Sequence, residues 1–509
     1  MNTPSAADLE SIQALPGKYP DLESIQAFPG KYPRQLWWLF FSEMWERFSF
    51  YGMRGVLTFF MVNQLRMAED TANLQYGATQ AFVYAFTFVG GLFADKILGF
   101  RKSLFWGGTL MIVGSLVLAI DPKAFFFLGI AFNIVGTGFF KPNISTMVGS
   151  LYKDDDPRRD AGFSLFYSGI NVGALLGGYL CIALGKSYSW NLAFGLTAIV
   201  MTISVVTFAR SQHLLGPIGL PPGHGQPGEQ KKPWQDWAIY AGSLALIPVL
   251  MIMVSKTDLT DYFMYTIGPL TLLYIAYEMT RYSAEERKKL AAAMVFILFS
   301  IIFWAFFEQS GGSLSLFAAN NLTQTVLGIP LDPNGVNNSA NSLFVIAFSP
   351  LLGLAWVALA NKKLEPNTVV KFGLGFLFLA GAFYLFYATR FFANAQGITS
   401  LDLFTVAYLV ITFGELCLSP IGLSIMTKLS PRPLQGVMMG MWFLASAYGQ
   451  YAAGLLGAGM TSPAENATAM DKLLSYTAGY RQLAVYALIA GVVLIALSPL
   501  VRKLMGEVK

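Results

Sequence analysis

Residues 36–62 read LWWLFFSEMWERFSFYGMRGVLTFFMV, a stretch as apolar as a membrane span that nevertheless carries four ionisable side chains, Glu43, Glu46, Arg47 and Arg54. At about 100° per residue these four side chains fall within one arc of a helix, so one face of the helix is charged. A charge near the bilayer centre is costly and normally faces a partner or a water-filled cavity. The stretch therefore predicts a membrane helix that lines an ion or substrate path, with a structural ion pair between helices as the alternative.

The composition indicates a polytopic helical membrane protein rather than a soluble enzyme. The 509 residues are 55% hydrophobic, 15% aromatic and only 12% charged, and the mean hydropathy is +0.52. At about 20 apolar residues per span, the sequence gives fourteen candidate transmembrane helices. They are residues 36–62, 76–94, 103–120, 124–150, 161–184, 189–209, 235–255, 262–280, 290–318, 341–361, 369–389, 400–427, 434–459 and 480–500.

The distribution of basic residues predicts the orientation of these spans. If both termini are cytoplasmic, 24 of the 34 Lys and Arg residues lie in inner segments, seven lie in outer loops and three lie inside spans. Cytoplasmic loops of membrane proteins carry such an excess of positive charge, so we expect both termini in the cytoplasm. The net charge of +5 then reflects membrane topology and indicates no nucleic-acid partner.

The spans group into two halves with an insertion between them. Six spans precede a linker rich in Gly and Pro, two helices follow that look peripheral, and six more spans complete the chain. This plan fits an all-α fold of two related six-helix bundles plus an inserted hairpin. The expected boundaries are residues 1–35 for a cytoplasmic tail, 36–210 for the first bundle, 211–234 for the cytoplasmic linker, 235–280 for the hairpin and 281–504 for the second bundle.

The N-terminal tail contains a tandem duplication. Residues 8–20, DLESIQALPGKYP, are followed by residues 21–33, DLESIQAFPGKYP, and the copies differ only at Leu15 and Phe28. Two copies of 13 residues are too few to build a repeat fold. We interpret the tail as polar and cytoplasmic, and an amphipathic docking segment is the alternative.

Three further charges lie deep inside predicted spans. Lys141 is ten residues from Leu151, or about 15 Å along a helix, too far for its side chain to reach the interface. Glu415 is 13 residues from Lys428, or about 20 Å, which places it near the midplane. Glu308 is expected about three turns before the end of its span. All three should therefore point into the helix bundle.

The embedded charges suggest how a substrate could be held. The cations Arg47, Arg54 and Lys141 belong to the first half, whereas the second half contributes Glu308 and Glu415. A molecule with a carboxylate and an ammonium group would be held lengthwise between the halves by charge-assisted hydrogen bonds. In the empty cleft the same groups can pair as gating locks, Glu415 with Lys141 and Glu308 with Arg54.

Uncharged side chains complete the candidate substrate site. Phenol and amide groups could bond the peptide groups of such a substrate, although the same side chains serve equally well as hydrogen-bonding contacts between helices. Two tryptophans are added as candidates, although a lone Trp in a span more often packs in the core. These residues are Tyr51, Tyr84, Tyr167, Asn171 and Asn341, together with Trp304 and Trp442.

Carboxylates are the candidate proton carriers. His213 and His224 both lie in the linker, so no imidazole can relay a proton inside the bundle. A buried glutamate that exchanges partners can gain and lose a proton, so the candidates for proton coupling are Glu308 and the pair Glu43 and Glu46 beside Arg47. The adjacent Arg47 argues against a sodium site. Cys181 and Cys417 fall in apolar spans, so we expect no disulfide and no thiolate metal site. We expect no cofactor, and the proton gradient would supply the energy.

Five segments, in order, resemble the proton-dependent oligopeptide transporters of the major facilitator superfamily. The first is similar to the pattern ExxERFxYYG, with Phe50 in place of one Tyr. The resemblance runs from about Pro33 to Leu504. It implies a major facilitator fold and inward symport of di- and tripeptides with protons. The five segments are 43–52, 136–143 (GTGFFKPN), 166–173 (FYSGINVG), 306–309 (FFEQ) and 414–424 (GELCLSPIGLS).

The resemblance also implies roles for individual residues. Arg47 and Lys141 would receive the peptide carboxylate, and Asn171, Asn341 and Glu415 the amino end. Glu46 and Glu308 would serve proton coupling, with Arg54 as the partner of Glu308. Phe50 would leave one hydroxyl group missing from the substrate pocket, which affects the substrate size that we expect the pocket to prefer. These assignments are expectations carried by the resemblance.

Two further features of the chain match that likeness. Residues 95–102 resemble the major facilitator loop between helices 2 and 3, in which Asp95 would contribute to gating. The inserted hairpin resembles the bacterial branch, so we expect the protein in the bacterial cytoplasmic (inner) membrane, in contact with the lipid bilayer.

Three alternatives stay open. Plant members of the family move nitrate and other anions, so the family does not fix the substrate; Glu415 and the intact glutamates of the first span favour peptide. A receptor or scaffold without transport would not need midplane charges on both halves. An intramembrane enzyme is less well supported, because the spans contain no His, no metal-ligand cluster and no nucleophile paired with a base.

Overall fold

The computed structural model describes residues 20–153, 156–222, 233–418, 422–461 and 467–508. In these ranges the regular structure is helical, apart from one two-stranded hairpin and an isolated bridge between Leu322 and Thr399, so the all-α prediction is confirmed. Most of the first repeat copy, residues 223–232 of the linker and Ser419-Pro420-Ile421 lie outside the described residues.

The first half contains a short N-terminal helix followed by the helices of the first bundle. The predicted first span is divided into two helices, and a π-helical turn follows the next span. The elements are α1 (Leu22–Gln26), α2 (Arg34–Arg54), α3 (Leu57–Asn63), α4 (Glu69–Phe93), the π-helix Ala94–Leu98, α5 (Phe100–Ile120), α6 (Phe126–Ser150), α7 (Arg159–Ser187), α8 (Trp190–Ser211) and the 3-10 turn Gln212–Leu214.

The inserted hairpin and the second half follow. The hairpin is α9 (Pro233–Ser255) and α10 (Thr257–Thr280). The second half comprises α11 (Ala284–Phe307), the 3-10 turn Glu308–Gly311, α12 (Ser313–Asn321), β1 (Thr325–Val326), β2 (Ile329–Pro330), α13 (Pro333–Asn361), α14 (Thr368–Ala388), the 3-10 turn Thr389–Phe392, α15 (Leu401–Leu418), α16 (Gly422–Leu429), the 3-10 turn Arg432–Leu434, α17 (Gln435–Ala458) and α18 (Ala469–Met505). Strands β1 and β2 are antiparallel, with Thr325 opposite Pro330.

Ten helices of the described chain are long and apolar enough to cross a membrane. Four of the fourteen predicted spans do not meet that measure. They are the first span, which is divided into α2 and α3, and the three spans that correspond to α6, α10 and α17. Helices α2 and α6 fall short because they carry embedded charges and amides, which lower the hydropathy without making the helices less buried. The chain is an integral membrane protein, and the count of fourteen spans stays a prediction.

Two predicted spans are broken where the halves meet. Helix α2 ends before Gly55, and a Cβ atom at Gly55 would lie 2.8 Å from the Asn338 side chain of the other half. Helix α11 ends at Phe307, so the prediction that Glu308 lies three turns inside a helix is wrong. In the 3-10 turn that follows, Gly311 passes directly against Tyr76, and a Cβ atom at Gly311 would overlap the tyrosine hydroxyl group.

Each half has its own hydrophobic core, and the halves meet along two pairs of helices. The two large clusters of buried apolar residues belong to different halves. Helix α4 packs against α17, and α7 packs against α13. In the first seam Gly77 and Gly454 face each other so closely that a Cβ atom on Gly77 would lie 2.7 Å from the Gly454 Cα. Separate cores allow each half to move as a unit.

The inserted hairpin contacts both halves. Helix α9 packs against α6, and the Trp106 indole donates a hydrogen bond of 2.9 Å to Ser243. Helix α10 reaches the second half, where the Tyr451 hydroxyl donates to Asp261 at 2.5 Å and Tyr448 donates to the Met264 carbonyl. The hairpin is peripheral, as predicted from its sequence, but it spans the junction between the halves.

The second copy of the duplication docks on the protein. We call residues 21–33 the docked repeat. Asp21 caps α1 by accepting a 2.7 Å hydrogen bond from the Ser24 amide, and Ile25 is only 2% exposed. The Gln26 amide donates to the carbonyls of Ser150 and Tyr152 at 3.2 and 3.3 Å. These contacts match the docking-segment interpretation of the tail for this copy.

Phe28 completes the docking contacts. Its ring lies edge-on to the Tyr152 ring, with 5.5 Å between the centroids, and beneath the Arg158 guanidinium at 4.0 Å. Arg158 also donates to the carbonyls of Phe28 and Gly30, each at 3.0 Å. The one residue that differs between the copies therefore lies at the centre of the contact.

The contacts define two ends of the molecule. We call the end that holds the docked repeat, the loop after α6 and the turn after α8 the terminal face, because Gln26 contacts Ser150 there and Pro20 contacts Gly216. We call the opposite end the far face. It holds the loops between α5 and α6, between α7 and α8, and between α12 and α13.

We predict that Ile25→Asp releases the docked repeat, because full burial of an isoleucine side chain stabilises by about 1.5–3 kcal/mol and an aspartate there would be buried without a partner. Tryptic cleavage after the exposed Lys31 should become faster, as measured by mass spectrometry of a digestion time course. The matched control is Ile12→Asp, the same change in the first copy, which should leave the rate unchanged. Equal acceleration in both variants would contradict a specific role of the second copy.

Candidate functional site

A cavity of about 280 Å³ lies between the two halves. Twelve of the fifteen predicted site residues line it. The first half contributes Glu43, Arg47, Tyr51, Arg54, Tyr84, Lys141, Ser145, Tyr167, Ile170 and Asn171. The second half contributes Trp304, Phe307, Glu308, Ser310, Asn337, Asn338, Asn341, Ser342, Tyr408, Ile411 and Glu415.

Two glutamates share one guanidinium on helix α2. The Arg47 Nε atom lies 3.2 Å from Glu43 Oε1, and its Nη2 atom donates to Glu46 Oε1 at 2.6 Å. All three side chains are at most 2% exposed. Two carboxylates next to one guanidinium leave an excess negative charge, which a bound proton or another cation must compensate in so buried a place. The second Glu43 oxygen has no hydrogen-bond partner among the described residues, so it is free to carry that proton.

Arg54 and Glu308 form the predicted ion pair between the halves. The Arg54 Nη2 atom donates to Glu308, and its Nε atom donates to the Tyr76 hydroxyl at 2.8 Å. The guanidinium also lies over the rings of Tyr51 and Tyr76, 5.5 and 6.0 Å from their centroids. One cation therefore ties α2, α4 and the break after α11 together.

Lys141 and Glu415 do not form the predicted pair. The Lys141 ammonium lies 4.5 Å from the centroid of the Tyr84 ring, in its own half. Glu415 accepts a 2.8 Å hydrogen bond from Asn341, whose amide also lies 3.1 Å from the Thr412 hydroxyl. Each charge is thus held by neighbours in its own half, which leaves both facing the cavity.

Three predicted site residues lie outside the cavity lining. Glu46 is fully buried behind Arg47, and Trp442 packs against Gly422, where a Cβ atom would lie 3.0 Å from the indole. Asp95 is exposed in the π-helix and has no ion pair with another described residue. Arg101, one of the three bases in the same loop, donates to backbone carbonyls of the linker.

Phe50 also differs from its expected place. Its ring is 4% exposed and lies under the Arg47 guanidinium, 5.0 Å from the ring centroid. It is not part of the cavity lining. The expectation of a missing pocket hydroxyl is therefore wrong for this structure, and Phe50 instead supports the arginine.

The polar start of α13 was missed by sequence reasoning. Asn337 accepts a 2.6 Å hydrogen bond from the Tyr408 hydroxyl, and its amide donates to the Ser310 carbonyl at 2.7 Å. Asn338 donates to the Gly55 carbonyl at 3.3 Å. The predicted span began at residue 341 because apolarity defined it, whereas the helix begins at Pro333. Asn337 and Asn338 precede the predicted Asn341 by four and three residues, and this helical spacing was the available signal.

Two further ion pairs join the halves on the far face. Lys186 pairs with Asp332 at 2.7 Å and also donates to Asn334 at 2.8 Å. Glu69 pairs with Lys472 at 2.6 Å and accepts a 2.5 Å hydrogen bond from the Tyr476 hydroxyl. Every ion pair between described residues of different halves lies at the cavity or on this face. These contacts hold the far face closed.

Two bundles with a charged cavity between them define a membrane transport protein of the major facilitator type. The sequence was compared with models of known protein families, and the family model described as the POT family matches residues 101–473. The chain belongs to the POT family.

Relatives and solved structures agree with this assignment over nearly the whole chain. The sequence is 34% identical to the peptide transporter YePEPT of Yersinia enterocolitica subsp. palearctica over 92% of this chain and 94% of that one. It is 33% identical to a di-/tripeptide transporter of Lactococcus lactis subsp. cremoris, over 94% and 97% of the two chains. A crystal structure of the peptide transporter POT in complex with sulfate matches with a TM-score of 0.80 and 31% identity, over 96% of this chain and 99% of that one.

We predict that Lys186→Ala combined with Lys472→Ala opens the far face. A partly exposed ion pair contributes about 0–1 kcal/mol, so loss of two pairs should raise the open population by up to roughly thirtyfold. Electron–electron resonance between spin labels at Tyr188 and Leu327, 78% and 86% exposed on different halves, should show a longer distance component. The labels require Cys181 and Cys417 to be replaced by alanine.

The matched control removes the same charge from the same face. Lys123 and Arg66 are exposed there, and neither forms an ion pair with another described residue. The double variant Lys123→Ala with Arg66→Ala should keep the wild-type distance distribution. An unchanged distribution in the Lys186 and Lys472 variant would show that these pairs do not hold the halves together.

Proposed function

We propose that this protein is a proton-coupled symporter that imports di- and tripeptides across the bacterial cytoplasmic membrane. The observation that carries the proposal is the division of charge in the cavity, with Arg47 and Lys141 on one half and Glu415 on the other. The relatives named as peptide and di-/tripeptide transporters support the same substrate class. Membership of the POT family supports transport driven by the proton gradient rather than by a cofactor.

The two ends of a peptide would bind different halves. The carboxylate would bind Lys141, which faces the cavity and forms no ion pair with another described residue, and Arg47 beside it. The ammonium would bind Glu415, positioned by Asn341, with Asn171 nearby in the lining. A ligand held at both ends draws the halves together, which couples binding to a change in access. Small anions such as nitrate would leave Glu415 without a cationic partner.

Protons would act on the ion pairs that the cavity contains. Protonation of Glu308 removes the charge that holds Arg54, so the link between the halves is weakened. The cluster of Glu43, Glu46 and Arg47 can take a proton at the free Glu43 oxygen. Proton uptake at Glu308 would thus favour opening of the far face. For import from outside the cell, the far face must then be the outer one.

The orientation follows from the basic residues. The terminal face contains the inner segments of the positive-inside assignment, so we place it in the cytoplasm together with both termini. The far face, with its closed ion pairs, is then external. In this orientation the described closure on the far face corresponds to a protein that does not admit substrate from outside.

The function is tested by uptake of labelled dialanine into proteoliposomes under an inward proton gradient. Concentrative uptake that di- and tripeptides inhibit, and that free alanine and nitrate do not, is the expected result. Dialanine uptake that is the same with and without the proton gradient would refute proton coupling. Inhibition by nitrate alone would assign the cavity to anions.

We predict that Glu308→Gln separates exchange from accumulation. The variant lacks the titrating carboxylate but keeps a polar side chain of similar size, so counterflow exchange of dialanine should persist while gradient-driven accumulation falls to the level of protein-free liposomes. The matched control is Glu278→Gln, which removes a buried carboxylate paired with Arg281 in the hairpin, away from the cavity. Parallel loss of exchange and accumulation would remove Glu308 from proton coupling.

Lys141→Ala should weaken dialanine binding by about tenfold to a hundredfold, because a hydrogen bond to a charged group contributes about 1.5–3 kcal/mol. Binding is measured by competition against a labelled peptide at equilibrium. Alanyl-alaninamide, which lacks the carboxylate, should bind the variant and the wild type equally weakly. The matched control Lys102→Ala removes a lysine that pairs with Asp236 outside the cavity. An unchanged dialanine affinity in Lys141→Ala would place the carboxylate elsewhere.

A further inference from the structure

A second cavity, of about 730 Å³, opens on the terminal face outside the site described above. It lies where helices α2, α5 and α8 end. Arg34 is the first residue of α2, Arg101 is the second residue of α5, and Arg210 and His213 lie at the end of α8 and in the turn after it. All four side chains line the cavity. The cavity is therefore at the level where these helices leave the membrane.

The charge of this cavity is unbalanced. Its described lining contains three arginines and one histidine and no acidic residue. Arg34 and Arg210 are exposed and have no ion pair with another described residue. Arg101 is fixed by backbone carbonyls, since its Nε atom donates to Ile218 at 2.7 Å and its Nη2 atom to Gly216 at 2.5 Å. No carboxylate of the described lining offsets its charge, so the cavity attracts an anion.

Two apolar stripes lead from the basic cavity along the outside of the bundle. On α2 the residues Arg34, Trp38 and Phe41 follow at intervals of four and three, which places them on one helix face. Trp38 lines the cavity, and Phe41 is 43% exposed. A tryptophan at this level is typical of the membrane interface, where its indole meets the lipid headgroups.

Helix α8 carries the second stripe. Val206 and Ile203 precede Arg210 by four and seven residues, and they are 41% and 43% exposed. Helices α2 and α8 pack against each other, so the two stripes border one groove with the arginines at its end. A free phosphate would use only the basic end. A molecule with an anionic head and long apolar chains would use the whole groove.

We propose that this groove binds an anionic glycerophospholipid, with the phosphate on Arg34 and Arg210 beside Arg101 and the acyl chains along the stripes of α2 and α8. Guanidinium groups bind phosphate by paired hydrogen bonds, and basic pockets between membrane helices bind anionic headgroups. The absence of an acidic residue from the described lining favours phosphatidylglycerol over a zwitterionic lipid. The site is independent of the peptide cavity, so its test does not rest on transport.

Native mass spectrometry of the purified full-length protein in detergent tests the proposal. Phosphatidylglycerol should remain bound as an adduct in the mass spectrum, whereas phosphatidylcholine should not. In a separate thermal-unfolding measurement, phosphatidylglycerol but not phosphatidylcholine should raise the midpoint temperature of the protein. The double variant Arg34→Gln with Arg210→Gln should bind phosphatidylglycerol about thirtyfold more weakly, since each basic residue near an anionic lipid contributes about fivefold. Arg34→Lys with Arg210→Lys retains the charge and should keep most of the affinity.

A matched control removes two charges from the same face of the other half. Lys362→Gln with Lys363→Gln changes two exposed residues at the end of α13 and should leave lipid binding unchanged. Equal weakening by the two double variants would overturn the proposal, because it would mean general attraction to a basic surface. Stabilisation by inorganic phosphate as large as that by phosphatidylglycerol would also overturn it and indicate a soluble anion instead.

Discussion

The requirement that an arginine buried within the membrane has a compensating partner governs the rest of this structure. Arg54 meets the requirement across the boundary between the halves, with Glu308 as its ion-pair partner and Tyr76 as its hydrogen-bond acceptor. Arg47 meets it within one helix, through Glu43 and Glu46. A pair within one helix leaves the halves free, whereas a pair across the boundary fixes them relative to each other. Burial of an arginine thus leaves the halves free to move at Arg47 and links them at Arg54, seven residues further along the chain.

The remaining contacts between the halves follow from that arrangement. The glycine seam of α4 and α17 brings two backbones close together at Gly77 and Gly454, and the Phe88 ring of α4 packs against Gly440 of α17. The far face adds polar links from Lys186 and Glu69, which water can replace when they break. The two large apolar clusters lie within the separate halves, and a smaller one, which includes Ala81 and Ala447, joins the halves at the hairpin. The polar links at the boundary can therefore be exchanged without disruption of either large core.

Depth in the membrane could be predicted from the sequence, but the choice of partner could not. Counting residues from the ends of a span placed Lys141 and Glu415 inside the bundle, and both line the cavity. Their partners depend on helix rotation and on neighbours from distant parts of the chain, so the Tyr84 ring and the Asn341 amide replaced the predicted ion pair. Asn337 and Asn338 were missed for a related reason, since a search for apolar runs excludes the polar end of a helix.

The docked repeat has a consequence for how this N-terminus can change over generations. Because Pro20 ends the first copy as Pro33 ends the second, loss of either 13-residue unit would leave one intact copy joined directly to Arg34. Removal of the first copy would change no docking residue, whereas removal of the second would substitute leucine for the phenylalanine that lies between Tyr152 and Arg158. A tandem duplication is a frequent site of slippage during replication, and here either product still encodes an N-cap, a buried isoleucine and a glutamine in register with the membrane domain. The duplication thus allows one copy to be lost without loss of a docking segment.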